Sequence, residues 1–140
     1  MRYLGIDYGT ARIGLALSVA SAVIASPLKT VKAEPAENAV KEISGICSEK
    51  KVDGIVIGLP LHMNGDEGAS AEGARKLGTA IENATDLKVE YIDERLSTVS
   101  ADRALSEGNV RGKKRKEKVD SVAAAIILQN FLDRKMECGL

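Results

Sequence analysis

The chain has 140 residues, 44% hydrophobic and 29% charged, with 20 basic and 20 acidic side chains that cancel to a formal net charge of zero. That length fits a single domain, 1–140, around one core, and the composition argues against a disordered chain and against any global pull toward a polyanion. One Phe, three Tyr and no Trp leave an aliphatic core and speak against aromatic stacking platforms as the main mode of nucleic-acid binding.

Tyr3–Tyr8 and Arg12–Ser18 are two strand-like runs separated by Gly9-Thr10-Ala11, the spacing of a tight hairpin. A third run, Val23–Val31, completes an antiparallel meander, with Pro27 marking an edge strand or bulge. Pro35 stands where a helix can start, and Ala39, Val40, Ile43, Ile46 and Cys47 follow at helical spacing. Val52–Leu59 is short, apolar and β-branched, as in a buried parallel strand, and a Gly-rich loop follows it. Ala71, Ala74, Leu77 and Ile81 mark a second helix. Leu87–Asp93 reads as a fifth strand, Ser97–Ser106 as a short helix and Lys118–Met136 as a long one. A meander followed by alternating helices and strands implies a mixed five-stranded α/β sheet flanked by helices, the plan of the ribonuclease H-like fold.

The two cysteines, Cys47 and Cys138, have no metal-ligand spacing and are too few for a disulfide scaffold, so a reducing, cytoplasmic setting is expected. No signal peptide is read, and no apolar run approaches the roughly 20 residues that cross a bilayer, so no membrane partner is expected.

Three acids sit at element ends: Asp7 closing strand one, Glu94 closing strand five and Asp120 in the first turn of the last helix. Ligands of open α/β sheets bind at the carboxyl ends of parallel strands. If the last helix begins at that edge, the carboxylates converge and repel one another unless cations neutralise them. Two Mg²⁺ or Mn²⁺ ions held there activate a water and stabilise the leaving oxygen of a phosphodiester. Each acid also has a plainer role: Asp7 as a turn residue before Gly9, Glu94 as a partner of Arg95, and Asp120 as an acid at the positive end of a helix. His62, the single histidine, and the glycines at 65 and 68 give little support to a nucleophilic triad or a phosphate cradle.

Six of the 20 basic residues, and only one acid, fall between Arg111 and Lys118, so a basic segment is set on an acidic body. It reads as an exposed loop whose Arg111, Lys113, Lys114, Arg115 and Lys116 contact backbone phosphates, with Arg95, Ser97 and Thr98 adding donors. The last two are equally suited to cap a helix.

"GIDYGTARIGLA", "GLPLHMNG", "YIDERLST" and "KRKEKVDSVAAAIILQNFL" resemble, in order and separation, the motifs of the YqgF/RuvX family of Holliday junction resolvase-like proteins. That family is implicated in maturing the precursor of small-subunit ribosomal RNA, and the likeness runs from Arg2 to about Asp133. It implies a ribonuclease H-like nuclease in which Asp7, Glu94 and Asp120 are the catalytic metal ligands. The substrate it implies is precursor 16S rRNA, cut at its 5′ end, or a branched DNA junction; either a monomer or a homodimer is compatible. Members of the wider ribonuclease H-like superfamily usually place an acid at the end of strand four, where this chain has Gly58-Leu59-Pro60, and many relatives carry Asp where it has Asn64. With strand order three-two-one-four-five, strand five lies roughly 10 Å from strand one, so Asp93 rivals Glu94 as a ligand. Two other classes remain open: a non-catalytic RNA-binding factor for ribosome assembly, and a phosphate-loop ATP-binding domain of the actin and sugar-kinase type, suggested by Asp7-Tyr8-Gly9-Thr10.

Overall fold

A computed structural model describes residues 1–19, 24–59, 68–93 and 113–137, and the side chains of the last stretch from 120 to 135. In chain order the elements are β1 (Tyr3–Tyr8), β2 (Arg12–Ser18), β3 (Ala25–Lys32), α1 (Ala36–Glu49), β4 (Gly54–Leu59), α2 (Ala69–Thr85), β5 (Lys88–Asp93) and α3 (Lys113–Glu137). The strands form one sheet in the order β3-β2-β1-β4-β5. β1–β2 and β2–β3 are antiparallel, and β1–β4 and β4–β5 are parallel.

Local chemistry accounts for these bounds. β1 and β4 are central and covered on both faces; β4 reads as a nearly continuous apolar run, whereas β1 alternates, with Leu4, Ile6 and Tyr8 on one face. β3 is an edge strand, where Pro27 withholds no ladder donor that a neighbour needs. Leu15 pairs with Lys29 and Ala16 with Pro27, so Leu28 is the extra residue of a bulge. α2 stops at Asp86, whose φ of 61° is the left-handed turn that ends helices.

The sheet has two unlike faces. α1 and α2 cover one, burying Leu4, Ile6, Ile13, Leu15, Ile55 and Ile57 in the larger apolar cluster. Among the described residues α3 alone covers the other, with a stripe of Ala123, Ala124, Ile127, Leu128 and Leu132. This helix lies close to the strands because they present glycine to it: a Cβ on Gly5 would stand 2.7 Å from Leu128 Cβ, and one on Gly14 would collide with the Asp120 carbonyl.

α3 begins five residues before the expected Lys118, so Lys113–Lys116 belong to a helix and not to a loop. Lys, Arg and Glu are good helix formers, and Gly112 is the nearest breaker. Asp120 consequently lies about two turns into the helix and not in its first turn. The expected helix over 97–106, the loop carrying His62 and Asn64, and Cys138 lie outside the described residues. No helix among those described is long and apolar enough to cross a membrane.

Candidate active site

The pleat of β1 decides what surrounds Asp7. Leu4 and Ile6 point into the core beneath α1 and α2, so Tyr3, Gly5 and Asp7 point toward α3. Thr30, Gly14, Asp7, Gly58 and Ile92 line up in one row across the five strands. Asp7 therefore has glycine on either side, and no β2 or β4 side chain crowds its carboxylate.

It is nonetheless only 4% exposed. Burying a carboxylate that deep is costly unless hydrogen bonds, dipoles or a cation replace its lost solvation.

Asp120 reaches the same place from the opposite direction. Its backbone lies over Gly14, the cross-strand partner of Asp7, one strand spacing of about 5 Å away. α3 runs from there toward the far edge of the sheet, where Gln129 accepts from the Ala25 amide and Phe131 meets the Tyr3 ring edge-on with centroids 5.2 Å apart. The start of α3 therefore extends past the carboxyl edge, with Lys113 about 10 Å along the axis from Asp120.

Arg12 completes the described part of the site. Its Nε donates to Asp120 Oδ2 at 2.7 Å, with the two side chains 31% and 17% exposed. The bond fixes the orientation of the Asp120 carboxylate and sets a positive charge against it. Sequence reasoning passed over Arg12 as the ordinary first residue of a strand. Pairing Tyr8 with Ile13 across the hairpin would have placed it on the face of Asp7.

Asp93 falls on the wrong pleat for this cluster. It pairs with Leu59, and Leu59, Tyr91 and Val89 belong to the α1–α2 side. Glu94, Arg95, Ser97, Thr98 and Arg111 lie outside the described residues, and of Lys113, Lys114, Arg115 and Lys116 only the helical backbone is described. Among the described residues no group of three His, Cys, Asp or Glu side chains gathers as a metal cage. Two carboxylates at one edge still suit a hard divalent cation, because Mg²⁺ is commonly held by one or two carboxylates together with waters and substrate phosphates.

A cleft of about 430 Å³ opens on the other face, lined by Tyr8, Ile13, Val40, Gly73 and Leu77 among others. It includes neither Asp7 nor Asp120, so size alone does not mark the chemistry here.

A family profile described as "RuvX: Holliday junction resolvase" matches residues 1–134. A Lactococcus lactis subsp. lactis (strain IL1403) protein described as "Putative pre-16S rRNA nuclease" is 43% identical over 134 residues, covering 94% of each chain. One of the same description from Clostridium botulinum (strain Alaska E43 / Type E3) is 45% identical over 134 residues, covering 96% of this chain and 98% of that one. Among solved structures, Thermus thermophilus RuvC in complex with a Holliday junction substrate superposes with a TM-score of 0.59 at 18% identity over 98% of this chain and 96% of that one. The fowlpox virus resolvase bound to Holliday junction DNA gives 0.57 at 10% identity, covering 96% and 98%. At such identities the likeness establishes the fold, which is ribonuclease H-like. The sequence relationships establish more: the chain belongs to the RuvX family.

Proposed function

We propose that this RuvX-family chain is a divalent-metal-dependent nuclease that hydrolyses phosphodiester bonds in structured nucleic acid, with precursor 16S rRNA as the favoured substrate. The observation that carries the reading is that α3 seats the Asp120 backbone over Gly14, the cross-strand partner of Asp7, near the carboxyl edge of the central strand. The rRNA preference rests on the relatives above 40% identity, whose descriptions name it. The resolvases share only the fold.

Asp7, Asp120 and Glu94 are the residues we assign to the metal; the pleat of Asp93 is what favours Glu94 over it. Bound Mg²⁺ or Mn²⁺ supplies a low-pKa water and a counter-charge for the departing oxygen. The protein's own part is positional. Asp7 is anchored in the most buried strand pair, Arg12 holds Asp120 in one orientation, and the glycines of the row keep aliphatic side chains away from the carboxylates. Lys113, Lys114, Arg115 and Lys116 stand on the projecting first turns of α3, where the positive end of the helix dipole adds to their pull on phosphate.

The test is cleavage of a precursor 16S rRNA fragment and of a four-way DNA junction, each with Mg²⁺ and with Mn²⁺, with the Asp7→Asn protein as control. Metal-dependent cutting that vanishes in the mutant is expected. Equal cutting by wild type and mutant, or binding with no cutting under any of these conditions, overturns the assignment, the latter in favour of an RNA-binding assembly factor.

A further inference from the structure

Carboxylates attract metal but repel a polyanion, so the phosphate backbone must be steadied by cations on some side of them. The sheet supplies those cations unevenly. Next to the row that holds Asp7, the β2–β3 ladder sets Arg12 directly opposite Lys32. Ile13 and Val31, their neighbours, point into the α1–α2 core, and Arg12 reaches α3, so both cations stand on the face of Asp7.

Like charges directly opposite one another on antiparallel strands are destabilising. Here the repulsion is only partly relieved: Arg12 has Asp120, whereas Lys32 is exposed and takes no carboxylate partner among the described residues. Lys29, on the same strand but the opposite face, is paired with Glu42 at 3.4 Å. On the β4–β5 side the described part of this face ends with the Asp7 row itself, at Gly58 and Ile92. Among the described residues Arg12 engages only Asp120, through Nε, and a guanidinium has five N–H donors, so its terminal nitrogens can serve a second anion.

Resting on the nuclease reading for the identity of the polyanion, we propose that Arg12 and Lys32 form a phosphate-binding step on the β3 side of the carboxylates. The nucleic-acid backbone then reaches Asp7 by way of the β2–β3 edge. Arg12 links the two halves of the site, orienting Asp120 with one edge of its guanidinium and holding a substrate phosphate with the other.

The experiment measures affinity as a function of salt in EDTA, where cutting is blocked, using a four-way DNA junction and a structured precursor-rRNA fragment. Wild type, Lys32→Ala and Lys29→Ala are compared; both lysines are exposed, and neither change threatens the fold. Lys32→Ala is expected to lower the slope of log affinity against log salt by about 0.9 on duplex DNA, the loss of one phosphate contact. Its deficit against wild type then shrinks about 3.5-fold between 50 and 200 mM salt. Lys29→Ala should follow wild type. An unchanged slope for Lys32→Ala, or an equal loss in Lys29→Ala, overturns the step while metal-dependent cleavage still supports the nuclease. Failure of wild type to bind either nucleic acid overturns both.

Discussion

The two faces of β1 and β2 come from a single alternating stretch of sequence and serve opposite ends. Toward α1 and α2 the strands present Leu4, Ile6, Ile13 and Leu15, all with no exposed surface. Toward α3 they present Gly5, Asp7, Arg12, Gly14 and Ala16. The first face supplies hydrophobic burial, which scales with apolar area. The second gives up most of that area so that a helix backbone can approach, bringing the backbone of Asp120 over the cross-strand partner of Asp7. Because one step along a strand reverses the face, stability and chemistry are separated by single residues.

The sharpest test sets neighbours on opposite pleats against each other. Asp7→Asn is expected to reduce cleavage at saturating metal by about 10³-fold, some 4 kcal/mol of barrier, with little change in thermal midpoint. Ile6→Ala should do the reverse, costing about 2–5 kcal/mol of stability in a denaturant titration and leaving the cleavage rate of the folded fraction nearly intact. If Asp7→Asn unfolds the protein, or Ile6→Ala abolishes turnover in the folded state, the division between the faces is wrong.

Gly14→Ala probes the contact on which the α3-facing side depends. A methyl group there meets the Asp120 carbonyl, so α3 must shift. Overpacking of this kind costs about 1–3 kcal/mol, and displacement of Asp120 should lower cleavage as well. A variant stable to within about 0.5 kcal/mol with full activity would mean that α3 is not seated as closely as described. Arg12→Ala should be milder in stability, because the partly exposed ion pair is worth about 1 kcal/mol or less. It should nonetheless weaken Mg²⁺ response, raising the metal concentration needed for half-maximal cleavage, since Asp120 loses its fixed orientation. An unaltered metal titration would remove Arg12 from the site.

Much of this arrangement is legible in the sequence because it is written as alternation. The bounds of β1 and β2 follow from apolar residues at every second position, and Pro27 announces the edge strand before any coordinates do. Asp7 is visible as a charge that ends an apolar run. What the pattern hides is register and partner. Arg12 gains meaning only when the hairpin pairing and the α3 docking are both known, and these are long-range facts that no local window contains. The start of α3 was obscured for another reason: a run of cations carries no apolar period, so its helix propensity is masked by its look of a solvated loop.

Cys47 offers the finest test, because it repeats on the apolar face what Asp7 does on the other. Both are 4% exposed and both can ionise, but Cys47 lies among Ile43, Ile46 and Val52. Burial pushes its thiol up to about 11 from the ordinary 9.0. The unfolded chain therefore releases this proton at lower pH than the folded one, so between about pH 9 and 11 the unfolded state binds fewer protons and stability falls as pH rises. The expected loss is on the order of 2 kcal/mol at most, read as the difference between wild type and Cys47→Ala in denaturant titrations across that window. Cys47→Ala itself should cost about 1 kcal/mol near neutrality and leave cleavage unchanged. Parallel pH curves for the two proteins would mean that the thiol is not sequestered among the aliphatic side chains beneath α1 and α2.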